Sequence, residues 1–149
     1  MGSDAISVRI VQRERLIDKG TFSSSSEWKK IEIDILSAIA AVTWPTTADG
    51  FTIRPVAKGN GVKPIKNSCV NYLTQNAWLD EHRVYGTGFP QLGALDAIKP
   101  LLKSAFTIER DGRDKVLRLS KGSVFALEWE TGNLSSSHRA LNKMAMGIQ

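Results

Sequence analysis

The chain has 149 residues, 20 Lys and Arg against 15 Asp and Glu, and a net charge of +5. A hydrophobic share of 42% with 23% charged residues excludes wholesale disorder, and the length predicts a single domain, 1–149, with room for a sizeable core. A lone cysteine, Cys69, excludes an internal disulfide scaffold and a cysteine-based zinc site, and two histidines argue against a His-rich metal site. Apolar runs fall far below the ~20 residues of a membrane span, and no secretory-type leader pattern opens the chain, so an intracellular protein without a membrane partner is expected. The excess positive charge points weakly to a polyanion.

No internal repeat is present. The serine run Ser23–Ser26 precedes Trp28, Ile31, Ile35, Ala38, Ile39 and Val42, which share one helical face. Ser24 and Glu27 have capping-box spacing, and Pro45 is the expected stop. Gly50, Pro55, Gly59 and Gly61 then punctuate a loop, with Pro64 suited to the first turn of a second helix. That helix places Ile65, Cys69, Tyr72, Leu73 and Ala77 on one face, so Cys69 is expected to be a buried structural thiol. Lys58, Lys63 and Lys66 accompany the loop without an acid among them. They are either a solvated surface or a phosphate-contacting loop at a helix N-terminus. The P-loop spacing is missing.

Beyond residue 83 the pattern shifts to short strands: Leu92 to Ile98, Ala105 to Glu109, Val116 to Leu119 and Ser123 to Glu130. Asp111-Gly112 reads as a turn between two of them. Helical spacing returns at Leu134, Leu141, Met144 and Ile148. The order predicts a mixed α/β domain, a small sheet flanked by helices.

The segment Ser123–Glu130 carries the most chemical information. On a strand, Phe125, Leu127 and Trp129 share one face, expected in the core, while Glu128 and Glu130 emerge together on the other, roughly 7 Å apart at Cβ. Adjacent like charges repel, so such a pair is either simply solvated or holds a cation. A hard divalent ion such as Mg2+ accepts one or two carboxylates and fills its shell with water and phosphate oxygens. A glycosidase pair must flank a sugar from opposite sides, which two residues on one strand face do poorly. A further acid is needed from a neighbouring strand. Asp96 stands among Ala94, Leu95, Ala97 and Ile98, where a carboxylate is unusual without a partner. Asp111 and Asp114 are alternatives in a highly charged turn.

An acid in an apolar strand followed by a strand ending in Glu-x-Glu resembles the PD-(D/E)xK nuclease core. The run Glu128-Trp129-Glu130-Thr131-Gly132-Asn133-Leu134-Ser135-Ser136-Ser137-His138-Arg139 resembles type II restriction endonucleases of the BglII, BamHI and BstYI group. Leu95–Lys99 is similar to the group's hydrophobic-Asp-hydrophobic motif, and Gly59–Lys66 with the helix after it resembles its N-terminal half. The likeness covers roughly residues 50 to 149 and is firmest over 124 to 143.

This resemblance implies a restriction-endonuclease-like core in a prokaryotic cytoplasmic enzyme that cuts double-stranded DNA with Mg2+. Asp96 and Glu128 match the metal-binding acids. Glu130 matches the third catalytic position, lysine in most of the superfamily but glutamate or glutamine in this group. Asn133 and Ser135 are the implied base contacts. Ser136, Arg139 and Lys143 join them at the last helix, where one serine also caps the N-terminus, and Lys63 is a phosphate candidate. Leu141, Met144 and Ile148 suit a homodimer interface, and a symmetric dimer reads a palindrome, here GATC-centred. A companion DNA methyltransferase would accompany such an enzyme. Members of the group continue past the position of Gln149, so the resemblance also implies a C-terminally incomplete domain that cleaves weakly or not at all. The interval from Asp96 to Glu128 exceeds the group's short hairpin, which keeps Asp111 open as the first acid. Two other readings remain: a structure-specific repair or recombination nuclease of the same superfamily, and a DNA-binding module that has lost catalysis.

Overall fold

Ser25 begins the ordered helical architecture. Its extended backbone (φ −76°, ψ 156°) lets its hydroxyl accept the Trp28 N–H at 3.0 Å, capping helix α1, Ser26–Ala40. The cap is therefore Ser25, one residue after the expected Ser24, which is taken up in a 3-10 turn, Phe22–Ser24. The computed structural model describes residues 10, 12–14, 20–45, 47–52, 63–86 and 94–130. α1 stops at Ala40, ahead of Pro45, because Trp44 is drawn into a parallel bridge with Phe51: its N–H donates to Gly50 O and its carbonyl accepts from Thr52 N–H.

Helix α2 spans Lys63–Gln75 with Pro64 in its first turn. Cys69, Val70 and Leu73 are buried on it, and burial pushes the Cys69 thiol up to about 11. Ala77, expected on this face, lies beyond the helix. Asn76 donates its N–H to Leu73 O and its side-chain amide to Tyr72 O, closing the last turn, and Ala77 then takes a left-handed φ of 61°. α2 packs against α1, where Ile31 and Ala38 are buried; Val42, just past α1, is buried too, and Ser68 Oγ donates to Ala41 O.

The chain forms two compact units, residues 1–76 with both helices and residues 77–149 with the sheet, where the sequence predicts one domain. The sheet has five strands: β1 Leu79–Gly86, β2 Leu95–Pro100, β3 Ala105–Asp111, β4 Asp114–Lys121 and β5 Val124–Leu127. Their spatial order is β3-β4-β1-β2-β5; β1 and β4 are parallel and the other neighbours antiparallel. β1 escapes the sequence reading because Asp80, Glu81, His82 and Arg83 sit in its middle and mask the alternation that buries His82 and Val84. β3 and β4 form the expected hairpin around Asp111-Gly112, each longer than predicted because charged residues extend the ladder to the turn. β2 runs two residues past the expected Ile98, to Pro100. The ends of the β3–β4 excursion meet, with Leu101 N–H donating to Ser123 O at 3.0 Å.

Val84, Leu95, Ile98, Leu117 and Leu119 form the buried cluster of this unit, with Leu79, Val124 and Ala126 against it. Phe125, Leu127 and Trp129 are half-buried rather than buried, since β5 is an edge strand; Phe125 meets Trp78 edge-to-face at 6.0 Å. Among the described residues no helix is long and apolar enough to cross a membrane. The helix expected from Leu134 onward lies outside the described residues.

Candidate active site

β2 and β5 set the geometry. Their antiparallel register pairs Ile98 with Ala126 and Ala97 with Leu127. Beyond the last pair, the next residues on the two chains are Asp96 and Glu128. β5 ends as a ladder at Leu127, three residues short of the expected strand end. The chain stays on course because Trp129 N–H donates to Asp96 Oδ2 at 2.8 Å. A carboxylate in an apolar strand thus finds its partner in the backbone between the two glutamates. Asp96 and Glu128 are half-buried, and Glu130 is exposed.

β1 lies on the other side of β2 and carries two acids that sequence reasoning did not single out, Asp80 and Glu81. Asp80 pairs with Ala97 and His82 with Leu95, and Glu81 lies between them. Glu81 holds φ at 51° in mid-strand, a conformation costly for a side chain of this kind and characteristic of functional positions. The signal was the Asp80-Glu81 pair itself, set in a segment not recognised as a strand.

Asp80 points to a different partner. Lys115 Nζ lies 2.8 and 3.0 Å from its two carboxylate oxygens, and that hydrogen bond holds the Asp80 carboxyl below the usual carboxylate range despite partial burial. Arg83 Nε lies 3.1 Å from Asp114 Oδ2. β1 and β4 run parallel with His82 beside Lys115, so these two ion pairs sit on opposite faces of the sheet. They fasten the β3–β4 hairpin to β1. His82, buried, has Nδ1 2.7 Å from Asp80 O.

The other predicted residues separate by position. Asp111 ends β3, on the sheet edge opposite β5, with β4, β1 and β2 between it and Glu128. Asp114 begins β4 and is engaged by Arg83. Lys63 is exposed at the first position of α2. Asn133, Ser135, Ser136, Arg139 and Lys143 lie outside the described residues.

Among the described residues, no three His, Cys, Asp or Glu side chains gather as a cation-holding group. The donor chemistry still fits Mg2+, which needs only one or two carboxylates from protein. Asp96 and Glu128 offer all-oxygen ligands across one strand pair, and the Trp129 N–H fixes the Asp96 carboxylate.

The family Restriction endonuclease BamHI matches residues 8–149. The type II restriction enzyme OkrAI of Oceanobacter kriegii is 47% identical over 115 residues, covering 77% of this chain and 50% of that enzyme. The type II restriction enzyme BamHI of Bacillus amyloliquefaciens is 33% identical over 119 residues, covering 78% of this chain and 49% of that enzyme. The chain belongs to the BamHI family of restriction endonucleases. It spans about half the length of the curated relatives it matches. The resemblance read from the sequence is borne out, and the mixed sheet is the α/β, restriction-endonuclease-like fold it implied.

Proposed function

We propose that the chain carries the catalytic centre of a Mg2+-dependent type II restriction endonuclease, hydrolysing phosphodiester bonds of double-stranded DNA. The observation that supports this reading is the hydrogen bond from Trp129 N–H to Asp96 Oδ2, which joins the Asp96 strand to the Glu128–Glu130 segment just past the β2–β5 pairs. Asp96 and Glu128 would hold the cation, with water and phosphate oxygens filling the rest of its shell. The bound ion would neutralise phosphate charge and acidify the attacking water. Glu130, exposed and two residues from Glu128, would orient that water and accept its proton. The product keeps a 5′-phosphate. Of the two candidate first acids, Asp96 is preferred, because Asp111 sits on the far edge of the sheet.

Recognition would fall to Asn133, Ser135 and Ser136, with Arg139 and Lys63 on phosphates. Asn pairs well with adenine and serine with several base edges. A homodimer would read a short palindrome, GATC-centred, and a companion methyltransferase would protect host DNA.

The test combines cation titration with cleavage. The chain is titrated calorimetrically with Mn2+ and Mg2+, and plasmid is incubated with either ion. Binding of a divalent ion that weakens at least tenfold in Asp96→Asn and Glu128→Gln is expected, with any cleavage lost in both. Failure of the wild-type chain to bind either ion, or unchanged binding in both variants, would refute the site. Cutting confined to junctions or flaps would reassign it to structure-specific repair.

A further inference from the structure

β3 is an outer strand of the sheet, hydrogen-bonded to β4 on one side, and all seven of its residues are exposed. On an edge strand every second N–H and C=O points away from the sheet, where it can template another strand. The apolar side chains of β3 lack cover as well. Phe106 pairs with Leu119 and Ile108 with Leu117 across the hairpin. Leu117 and Leu119 are buried, yet Phe106 is 39% and Ile108 54% exposed. The apolar surface therefore continues one strand beyond the buried cluster.

Charges on an edge strand ordinarily discourage pairing, and β3 ends in Glu109, Arg110 and Asp111. Their order nevertheless suits a symmetric partner. In a two-fold antiparallel pair, one residue must lie opposite its own copy. Ile108 is the midpoint of Ala105–Asp111, so an axis at Ile108 pairs the whole strand. Ile108 then meets Ile108 of the second copy, Phe106 meets Arg110, Thr107 meets Glu109 and Ala105 meets Asp111. No charge directly opposes its like. On either side of the apolar centre a guanidinium lies against an aromatic ring, a favourable cation–π contact. The two Glu109 side chains become diagonal neighbours, and each is held by its own Arg118 at 2.6 Å. An axis at Glu109 or Arg110 sets like charges face to face. An axis at Phe106 or Thr107 leaves Arg110 and Asp111 outside the paired strands.

We propose that the β3 edge docks a second copy of this chain, by antiparallel β3–β3 pairing about Ile108 that joins the two five-stranded sheets into one. The inference is independent of the nuclease reading. The contact is also separate from the dimer interface expected at Leu141, Met144 and Ile148. Main-chain hydrogen bonds supply the attraction, and the opposed side chains fix the register. An interface of one strand pair is small, so the association is concentration-dependent.

The test is analytical ultracentrifugation of the 149-residue chain over a hundredfold range of concentration, without DNA or divalent ions. The wild-type chain is expected to double its mass as concentration rises. Ile108→Lys opposes two ammonium groups at the axis and is expected to weaken the association at least tenfold. Phe106→Lys, which then faces Arg110 of the second copy, is expected to do the same. Phe106→Lys/Arg110→Glu is expected to recover most of the loss, because each lysine then faces a glutamate of the other copy. The two residues are about 14 Å apart along their own strand, so no pair within one chain can produce this rescue. Circular dichroism and melting temperature establish that the variants are folded. Ile108, the more exposed of the two apolar residues, keeps the test decisive if Phe106→Lys does not fold. A mass independent of concentration, a doubling that survives Ile108→Lys, or a double variant no better than Phe106→Lys would overturn the proposal. So would β3 amides protected from hydrogen exchange in a chain that does not self-associate, which would put another segment of the same chain on this edge.

Discussion

At the scale of single residues, electrostatics inside the sheet follow from register. Asp80 and Lys115 meet because β1 and β4 run parallel with His82 beside Lys115, which puts the two side chains diagonally on one face. The pair is part-exposed, so its contribution is about 0.2–1 kcal/mol. Its pH dependence has a definite sign. The Asp80 carboxyl is held below its ordinary value, so its stabilisation is present above the unfolded-state value of about 3.9 and is lost as pH falls through the lowered one. Lys115→Met should therefore be less stable than wild type at pH 7, with the gap closing below about pH 4. Urea unfolding at pH 7, 5 and 3 measures this, and a gap that persists unchanged at pH 3 contradicts it. Sequence alone singled out Asp96 and the glutamate pair as candidates, because a carboxylate among aliphatics and two acids two residues apart are local anomalies. The left-handed φ of Glu81 was not legible, since it arises only where β1 is fitted against its neighbours.

At the scale of elements, the hairpin root shows how a glycine shapes a connection. Gly122 holds φ at 85°, and a Cβ added there would meet Ser104, whose Cα lies 2.7 Å from that position. Ser104 Oγ donates to Ser123 O at 2.7 Å and accepts from Ser123 N–H at 3.0 Å, so it has no freedom to retreat. Gly122→Ala should destabilise the chain by about 1–3 kcal/mol, from left-handed backbone strain and the clash together. Chemical denaturation gives the value; a loss under 0.5 kcal/mol would show that the turn relaxes. The helices were legible because their apolar spacing is strong, with errors of one residue at the α1 cap and a few at its end. β1 was not, because four consecutive polar residues, Asp80 to Arg83, read as a surface until two neighbours pair with them.

At the scale of the whole molecule, burial is graded across the sheet. Val84, Ala97, Ile98, Val116 and Leu117 are at most 1% exposed, whereas all seven residues of β3 are exposed. Local stability should follow that gradient. Hydrogen exchange should be slowest in β1, β2 and β4 and markedly faster along the outer edge of β3. Uniform protection across all strands would contradict the gradient. The fold class was legible from the alternation of helical and strand patterns.

The hydrogen bond between Leu101 and Ser123 gives the excursion between them an evolutionary meaning. A segment whose ends already touch can change length at little cost to what it joins, because closure entropy grows only with the logarithm of loop size. Asp96 and Glu128 are thus held by the β2–β5 pair and not by the peptide that connects them. Inward residues such as Leu117 and Leu119 remain bound to the core. The outward residues can drift, acquire charge or accept insertions while the acids keep their register. The surface of the excursion can therefore vary independently of the strand pair at its base.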